Sequence, residues 1–325
     1  MFQQLFGFPE GSHAEVQALL RMVGDRLTSS VNGKSYAYGR LETPSLSELR
    51  ERVSTLKPPP NPSACREIVA DAKALHADPE NVGALFQVAS QFNLLEMCGP
   101  DETPEMGVSK YSGDPTQGPA CALACFAGTV YRNYFVPLGD QIGQTADRQV
   151  DCLADLGDAF GNLDKRLWEM RNGYALATTE GLRDIQRILD AADLRERDRL
   201  RSLLRVGIQW DTEVTLSGAG HHVSQVYASA LPVGYSPHSA SEWEPFARLV
   251  LDAAYEATLL AAALTTDRRV FLTLLGGGVF GNSMEWIVDA MEYAMAKTSD
   301  LGLDIRIVSY RYHNPTLTRL LTRSG

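Results

Sequence analysis

The sequence predicts an α/β fold in which helices cover both faces of a largely parallel or mixed sheet. Apolar runs of strand length alternate with stretches of helical periodicity along the 325 residues, which is typical of a three-layer α/β domain. The clearest unit is residues 270–297, where an apolar run leads through three consecutive glycines into a helical pattern. This strand–loop–helix geometry presents backbone N–H groups to a phosphate, so it also locates a candidate binding loop.

The other elements define the organisation of the chain. Residues 1–62 predict an N-terminal extension packed on the core, with a helix at 14–27 and a proline-rich linker at 57–62. Residues 63–325 predict the main domain, with a mainly helical insertion at about 140–205. Within the main domain we expect a helix at 65–76, strands at 84–89, 129–135 and 304–310, and a last helix at 315–322.

Composition narrows the function classes. Hydrophobic residues make up 44% and charged residues 22% of the chain, and no apolar run is long enough to span a membrane. A net charge of -10 argues against nucleic-acid binding, which depends on basic surface. It still permits a small anion to bind at a local group of N–H donors. The N-terminus lacks the features of a secretion signal, and the five cysteines lack metal-type spacing. We therefore expect a cytoplasmic protein without a cofactor.

The glycine loop supplies the first set of candidate ligand contacts. Phe280 either stacks on a ribose or base, or anchors the loop in the core, and Asn282 either caps the following helix or contacts the ligand. A P-loop is excluded because no Walker lysine follows the glycines. The candidate contacts in this loop are Gly276, Gly277, Gly278, Val279, Phe280, Gly281 and Asn282.

A second candidate region is the long loop at 94–117, which carries five carboxylates: Glu96, Asp101, Glu102, Glu105 and Asp114. Carboxylates can stabilise a sugar centre of oxocarbenium character and activate water against it. An acidic loop can equally be a solvated surface feature. The stretch 113–120 holds one acid between two glycines and two prolines, so Asp114 is its most constrained carboxylate.

His221 and His222 lack further ligands at metal spacing, so we predict no metal site.

Several of these motifs together resemble a macrodomain. Residues 84–93 (ALFQVASQFN) resemble the strand and asparagine loop that place the distal ribose of ADP-ribose. Residues 270–282 resemble the strand and phosphate loop, and residues 304–310 the closing strand. More narrowly, QVASQFN, TPE-x-G at 103–107, GD-x-TQGPACA at 113–122 and YRNYF at 131–135 are similar to the MavL-type arginine-specific macrodomain ADP-ribosylhydrolases.

The resemblance implies a three-layer α/β/α macrodomain with a mixed central sheet, which removes ADP-ribose from arginine side chains of a modified protein. The effector member of that branch acts on ubiquitin. The implied catalytic residues are Asp114 and Glu105, with Asp101 behind them, and further ligand contacts are Gln91, Asn93, Gln117 and Gly118. The chain departs from the poly(ADP-ribose) glycohydrolase pattern because no QEE triplet follows a glycine-rich loop. Two alternatives are a non-catalytic ADP-ribose reader and a hydrolase of another ADP-ribose linkage.

Overall fold

A seven-stranded mixed sheet forms the centre of the computed structural model, which describes residues 1–321. The strands are β1 (Leu20–Val23), β2 (Arg26–Ser29), β3 (Ser35–Ala37), β4 (Arg40–Glu42), β5 (Ala64–Val69), β6 (Leu85–Ala89), β7 (Pro137–Leu138), β8 (Gln141–Ile142), β9 (Trp168–Arg171), β10 (Tyr174–Ala177), β11 (Gly207–Glu213), β12 (His222–Ala228), β13 (Arg269–Leu272) and β14 (Asp304–Ser309). The helices are α1 (Phe2–Phe6), α2 (His13–Leu19), α3 (Leu46–Ser54), α4 (Ala72–Ala77), α5 (Gln117–Ala124), α6 (Phe126–Tyr134), α7 (Ala154–Phe160), α8 (Thr179–Ala191), α9 (Leu194–Ser202), α10 (Ala240–Ala263), α11 (Met284–Lys297) and α12 (Thr318–Leu321).

The central sheet has the strand order β4-β11-β12-β6-β13-β14-β5. The five strands from β12 to β5 are parallel to their neighbours, whereas β11 runs antiparallel to both β12 and β4. The predicted α/β class with a mixed central sheet is confirmed. The parallel half of the sheet brings the carboxyl ends of β5, β14, β13, β6 and β12 to one edge.

Helices cover both faces of this sheet, as the alternation of the sequence predicts. On one face the amide of Gln87 donates to the hydroxyl of Thr258 in α10 at 3.0 Å. On the other face, Phe86 and Phe271 stack with ring centroids 4.5 Å apart, and His76 of α4 lies against Phe86. Opposite faces of the same strands are therefore covered by α10 and by α4. The apolar run of α10 is buried over almost its whole length.

Three predicted elements are wrong in type. Residues 65–76 are not one helix, because Ala64–Val69 is an edge strand paired with β14 and the helix begins only at Ala72. Residues 14–27 are not one helix either, since α2 ends at Leu19 and a β1–β2 hairpin follows.

The strand predicted at 129–135 is a helix instead, because these residues lie mostly within α6. That helix is buried on almost every side, including its polar residues Thr129, Arg132 and Asn133, and its aromatic residues imitate a strand.

The predicted insertion contains α7, α8 and α9 together with the β9–β10 hairpin. The N-terminal extension contributes β4, which pairs with β11 at the edge of the central sheet. Most of the predicted last helix is present as Pro315–Leu317 and Thr318–Leu321, and residue 322 lies outside the described residues.

The extension also anchors the loop that follows β6. The Glu10 carboxylate accepts hydrogen bonds from the backbone N–H groups of Val108 at 2.9 Å and Ser109 at 2.7 Å. It also accepts one from the Tyr134 hydroxyl at 2.7 Å. Glu10 therefore ties the acidic loop and α6 to the N-terminal segment, and Phe2, Phe6 and Phe126 belong to one apolar cluster behind it.

We expect Glu10→Ala to destabilise the protein because it leaves two backbone N–H donors and one hydroxyl without their acceptor. The expected loss is about 1–3 kcal/mol in the free energy of unfolding, measured by urea titration. The matched control is Glu51→Ala, an exposed position on α3, where a change below about 0.5 kcal/mol is expected. Equal effects of the two variants would contradict the anchoring role of Glu10.

Candidate functional site

A cavity of about 390 Å³ opens at the carboxyl ends of the parallel strands. Its wall includes Ala89 at the end of β6 and Ser90 after it, Leu272 and Thr273 at the end of β13, and Val308 in β14. Ligands of open α/β sheets bind at this edge, and the volume is in the range of small-molecule sites. The glycine loop and part of the acidic loop line the same cavity.

The glycine loop offers unused backbone donors to this cavity. Gly276, Gly278, Val279 and Phe280 all line it. Among residues 1–321, no protein acceptor takes the backbone N–H of Gly278, Val279 or Phe280. Three successive free N–H groups form the kind of concave donor set that binds phosphate oxygens. Gly276 adopts a left-handed backbone with φ 75°, and an added Cβ would lie 2.4 Å from the Cβ of Ala230.

The other predicted residues of this loop support it from behind and do not line the cavity. The N–H of Gly277 donates to the Leu274 carbonyl and that of Gly281 to the Gly278 carbonyl, each at 3.0 Å. The side-chain amide of Asn282 donates to the Leu231 carbonyl at 2.8 Å. Asn282 does not cap α11, because the cap is Ser283.

The N-terminus of α5 forms a second wall. The residues that line the cavity there are Thr116, Gln117 and Gly118. The last two are the ligand contacts that the sequence analysis predicts in this segment. The side chain of Gln117 binds the end of β6, because its Oε1 accepts from the Ala89 N–H at 2.9 Å. An added Cβ on Gly118 would lie only 1.9 Å from the Ala89 carbonyl oxygen. Only glycine therefore lets α5 approach the strand so closely.

Asp114 is the predicted catalytic carboxylate that lines the cavity. Its Oδ1 accepts from the Thr116 N–H at 2.8 Å and from the Thr116 hydroxyl at 2.6 Å. The Cys98 thiol lies 3.5 Å from its Oδ2. Burial and the carboxylates of Glu102 and Asp114 raise the pKa of that thiol, which argues against Cys98 as a thiolate nucleophile. Asp114 is thus held in one orientation at the cavity wall.

The other two predicted acids lie elsewhere. Glu105 accepts the Ala146 N–H at 2.8 Å, and Asp101 pairs with Arg171 at 3.2 Å with its side chain 86% exposed. Neither residue lines the cavity. The acidic loop therefore brings Asp114 to the site and directs Asp101 and Glu105 to other contacts.

The two predicted residues after β6 differ in position. Gln91 lines the cavity, and its Oε1 accepts from the Met97 N–H at 2.8 Å. Asn93 does not line the cavity, because its side chain is enclosed: the amide donates to Gln149 at 2.8 Å and Oδ1 accepts from the Leu95 N–H at 3.1 Å. Asn93 therefore shapes the loop in this structure and does not face the cavity.

Sequence reasoning missed an aromatic group around Phe280. The ring of Phe280 lies 5.3 Å from that of Tyr174 and 5.5 Å from that of Tyr235, and all three residues line the cavity. Tyr174 comes from β10 of the insertion and Tyr235 from the segment after β12. No local pattern joins these segments, so only the tertiary structure reveals the group. It gives the cavity an apolar surface suited to a sugar or base.

Sequence reasoning also missed a buried ion pair at the cavity wall. Glu96 lines the cavity yet is 1% exposed. Both of its carboxylate oxygens lie 3.2 Å from Nη2 of the fully buried Arg132. Burial raises the pKa of Glu96 to about 7, although the Arg132 guanidinium opposes that shift. The guanidinium and the carboxylate therefore neutralise each other inside the cavity wall.

The described residues contain no cluster of three or more His, Cys, Asp or Glu side chains arranged to hold a metal ion. The ring N–H of His221 at Nε2 donates to the His76 carbonyl at 2.8 Å. No helix within residues 1–321 is both long and apolar enough to cross a membrane.

No protein-family model and no curated protein sequence matches this chain. Among solved structures it is similar to poly(ADP-ribose) glycohydrolase from Deinococcus radiodurans in complex with ADP-ribose, with a TM-score of 0.45 and 15% identity over 88% of this chain and 93% of that one. It is also similar to poly(ADP-ribose) glycohydrolase from Thermomonospora curvata, with a TM-score of 0.45 and 13% identity over 96% and 97% of the two chains. The likeness to both proteins is distant.

We expect Gly276→Ala to destabilise the glycine loop, because alanine pays for the left-handed backbone and its Cβ collides with Ala230. A loss of about 2 kcal/mol or more is expected from these two effects in chemical denaturation. The matched control is Gly278→Ala, where an added Cβ meets no atom within 4 Å. If both variants unfold at the same denaturant concentration as the parent, the loop is less constrained than its geometry indicates.

Proposed function

We propose that this chain hydrolyses the bond between ADP-ribose and an arginine side chain of a modified protein. The observation that supports this most directly is that one cavity combines the free N–H groups of the glycine loop with the carboxylate of Asp114. The free N–H groups suit a pyrophosphate, and the Asp114 carboxylate suits the activation of water beside a sugar carbon. The motif resemblance to arginine-specific macrodomain hydrolases points to the same substrate.

The cavity also offers places for the other parts of ADP-ribose. Its wall between β6, β13 and β14 is apolar and carries Phe86, Phe271 and Val308, with Leu75 of α4 beside them. A planar base would bury its faces there. Phe280, with Tyr174 and Tyr235, would contact the distal ribose on the other side of the glycine loop. In this arrangement the reactive sugar carbon would lie at the acidic loop.

In this proposal Asp114 orients the attacking water and accepts its proton. A cationic arginine side chain suits the carboxylate of Asp114, because carboxylates bind guanidinium groups well, whereas Glu102 already pairs with Lys110 at 2.7 Å. Glu105 and Asp101 would contribute only after the loop rearranges. Ubiquitin is the first protein substrate to test, because the resemblance implies it.

A reader that binds ADP-ribose without cleaving it is the second candidate. One observation favours it: both oxygens of Asp114 already have partners, Thr116 for Oδ1 and the Cys98 thiol for Oδ2. A carboxylate engaged in this way has less capacity to bind water. Measuring both the binding of ADP-ribose and its release from a modified substrate on the same protein distinguishes the reader from the hydrolase.

The direct test is to incubate the protein with ubiquitin carrying arginine-linked ADP-ribose, and with serine- and glutamate-linked substrates, and to quantify free ADP-ribose. We expect release from arginine. Binding of ADP-ribose by calorimetry without release from any substrate would favour the reader, and release from serine or glutamate alone would indicate another linkage. Absence of ADP-ribose binding would overturn the proposal as a whole.

We expect Asp114→Asn to lower kcat by about 100- to 10,000-fold, because the amide cannot accept the proton of water. Its affinity for ADP-ribose should stay within about threefold of the parent value, which is less than 1 kcal/mol. The matched control is Asp300→Asn, an exposed position in the turn after α11, which should retain full rate. A full rate for Asp114→Asn would remove Asp114 from the mechanism.

We expect Phe280→Ala to weaken ADP-ribose binding by about tenfold, since loss of a contacting aromatic ring costs on the order of 1 kcal/mol or more. Calorimetry measures the change. Tyr312→Ala serves as the aromatic control, because Tyr312 is exposed and lies outside the cavity wall. Equal affinities for Phe280→Ala and the parent would favour the alternative in which Phe280 only anchors the loop.

A further inference from the structure

The segment that follows β14 borders the cavity next to the glycine loop. Strands β13 and β14 are parallel neighbours, so Tyr310 after β14 and Gly276 after β13 lie at the same edge of the sheet. Tyr310 lines the cavity although it is 63% exposed. In the proposed arrangement the base lies against Val308 and the pyrophosphate at the glycine loop. The adenosine ribose that joins them would therefore lie beside Tyr310.

Arg311 is a cation without an acidic partner at this edge. Its guanidinium lies over the ring of Tyr310, with Cζ 5.0 Å from the ring centre. The next basic side chain, His313, lies 2.8 Å from the carboxylate of Glu67. No carboxylate within residues 1–321 forms an ion pair with Arg311. All the donors of its guanidinium are therefore available to an anion at the rim of the cavity.

The backbone holds Arg311 in this position against its own preference. Arg311 adopts a left-handed conformation with φ 66°, and the Tyr312 N–H donates to the Tyr310 carbonyl across it at 2.9 Å. A three-residue turn with a positive φ at its centre is the rare and strained form of the γ-turn. Residues other than glycine keep such a conformation where surrounding contacts impose it, and these positions cluster at ligand sites.

Glu67 of β5 supplies the contacts that fix the turn. Its Oε1 accepts from the Ser309 hydroxyl at 2.5 Å and from the Asn314 N–H at 2.6 Å, and its Oε2 lies 2.8 Å from Nδ1 of His313. Glu67 is thus bound to residues on both sides of the turn at 310–312. One carboxylate of the edge strand therefore sets the position of Arg311 relative to the cavity.

The carboxylate of Asp71 gives the charge of Arg311 its importance. Asp71 follows β5, the other neighbour of β14, and lines the same cavity. Its Oδ1 accepts from the N–H groups of Lys73 at 2.8 Å and Ala74 at 3.2 Å, and so caps α4. A further negative group on a bound ligand would be repelled by Asp71. Arg311 is the group at this edge that can offset that repulsion.

We propose that Tyr310 and Arg311 form a subsite for a phosphoryl group carried on the adenosine ribose of the ligand. This inference rests on the ADP-ribose binding of the proposed function. In the subsite the ring of Tyr310 contacts the ribose, and the guanidinium of Arg311 donates two hydrogen bonds to phosphoryl oxygens. An arginine beside the ribose accommodates a 2′-phosphate in dinucleotide-binding domains in the same way. The ligand class is therefore ADP-ribose phosphorylated at its adenosine 2′- or 3′-hydroxyl.

The test compares ADP-ribose with its adenosine 2′-phosphate and its adenosine 3′-phosphate by calorimetry on the full chain. We expect one of the two phosphorylated ligands to bind about tenfold more tightly than ADP-ribose. Because the two isomers carry the same charge, a difference between them excludes general attraction and identifies the hydroxyl. The gain should shrink at about 0.5 M salt, since Arg311 is exposed and its charge is screened.

Arg311→Gln should abolish the gain and leave the affinity for ADP-ribose itself within about threefold. Glutamine has the same requirement for the left-handed backbone as arginine, so the change removes the charge alone. Arg311→Lys should keep part of the gain, because a lysine attracts the phosphate but does not make the paired contact. The matched control is Arg195→Gln, an exposed position on α9 outside the cavity wall, which should retain the full gain.

Three results overturn the subsite: affinities of all three ligands within about twofold of each other, a gain that Arg311→Gln retains, or a gain that Arg195→Gln loses to the same extent. Each of them leaves ADP-ribose binding, and with it the proposed function, intact. A parent protein that binds none of the three ligands overturns the proposed function, and the subsite falls with it.

Discussion

The ion pair between Arg132 and Glu96 is the interaction on which the cavity depends. Both side chains are fully buried, and removing two charges from water is costly unless each finds well-placed partners. Arg132 meets this condition by binding the loop after β6 through Leu94, the helix through Thr129 and the sheet through Tyr227. Loss of one partner of such a pair usually costs about 3–5 kcal/mol, because the other charge remains buried. The pair thus holds the acidic loop against the sheet.

Close backbone approach is the second constraint on the site. Gly118 brings α5 against the last residue of β6, and Gly276 brings the glycine loop against Ala230. Both contacts lie at the carboxyl edge of the parallel strands, where side chains and loops of neighbouring βα units converge. A cavity with N–H donors on one side and a carboxylate on another results because the two glycines allow α5 and the glycine loop to reach the ends of the neighbouring strands β6 and β12.

The sequence predicts those parts of the site that have local causes. The glycine loop follows an apolar run and precedes a capped helix, and Asp114 stands between glycines and prolines, so both are visible in short windows. Glu96, Tyr174 and Tyr235 are brought together from three distant segments, so no window contains them. Asn93 follows a strand as expected, yet Gly173 lies so close that an added Cβ there would be 2.6 Å from the Asn93 amide. This packing, which directs Asn93 away from the cavity, exists only in the folded chain.

Tertiary packing also explains why the sequence predicts a strand at 129–135, where the structure has the helix α6. The helix α6 carries Arg132 into the interior, so its polar residues are buried together with its apolar ones and do not mark a solvent-exposed face. Its sequence is therefore ambiguous for the very reason that it contributes to the site. The helix predicted at 65–76 is wrong for the opposite reason. Residues 64–69 form an edge strand that leaves alternate side chains in water, and only its pairing with β14 reveals it.

The attachment of Glu10 to the acidic loop has a consequence for the lifetime of the ordered site. The backbone N–H groups of Val108 and Ser109 have their acceptor in Glu10, which lies in a short irregular segment just before α2. A protease that cuts between residues 10 and 13 would leave every cavity residue in the chain and still separate Glu10 from the covalent framework that holds it. The order of the loop would then decay at the rate at which the cleaved segment dissociates.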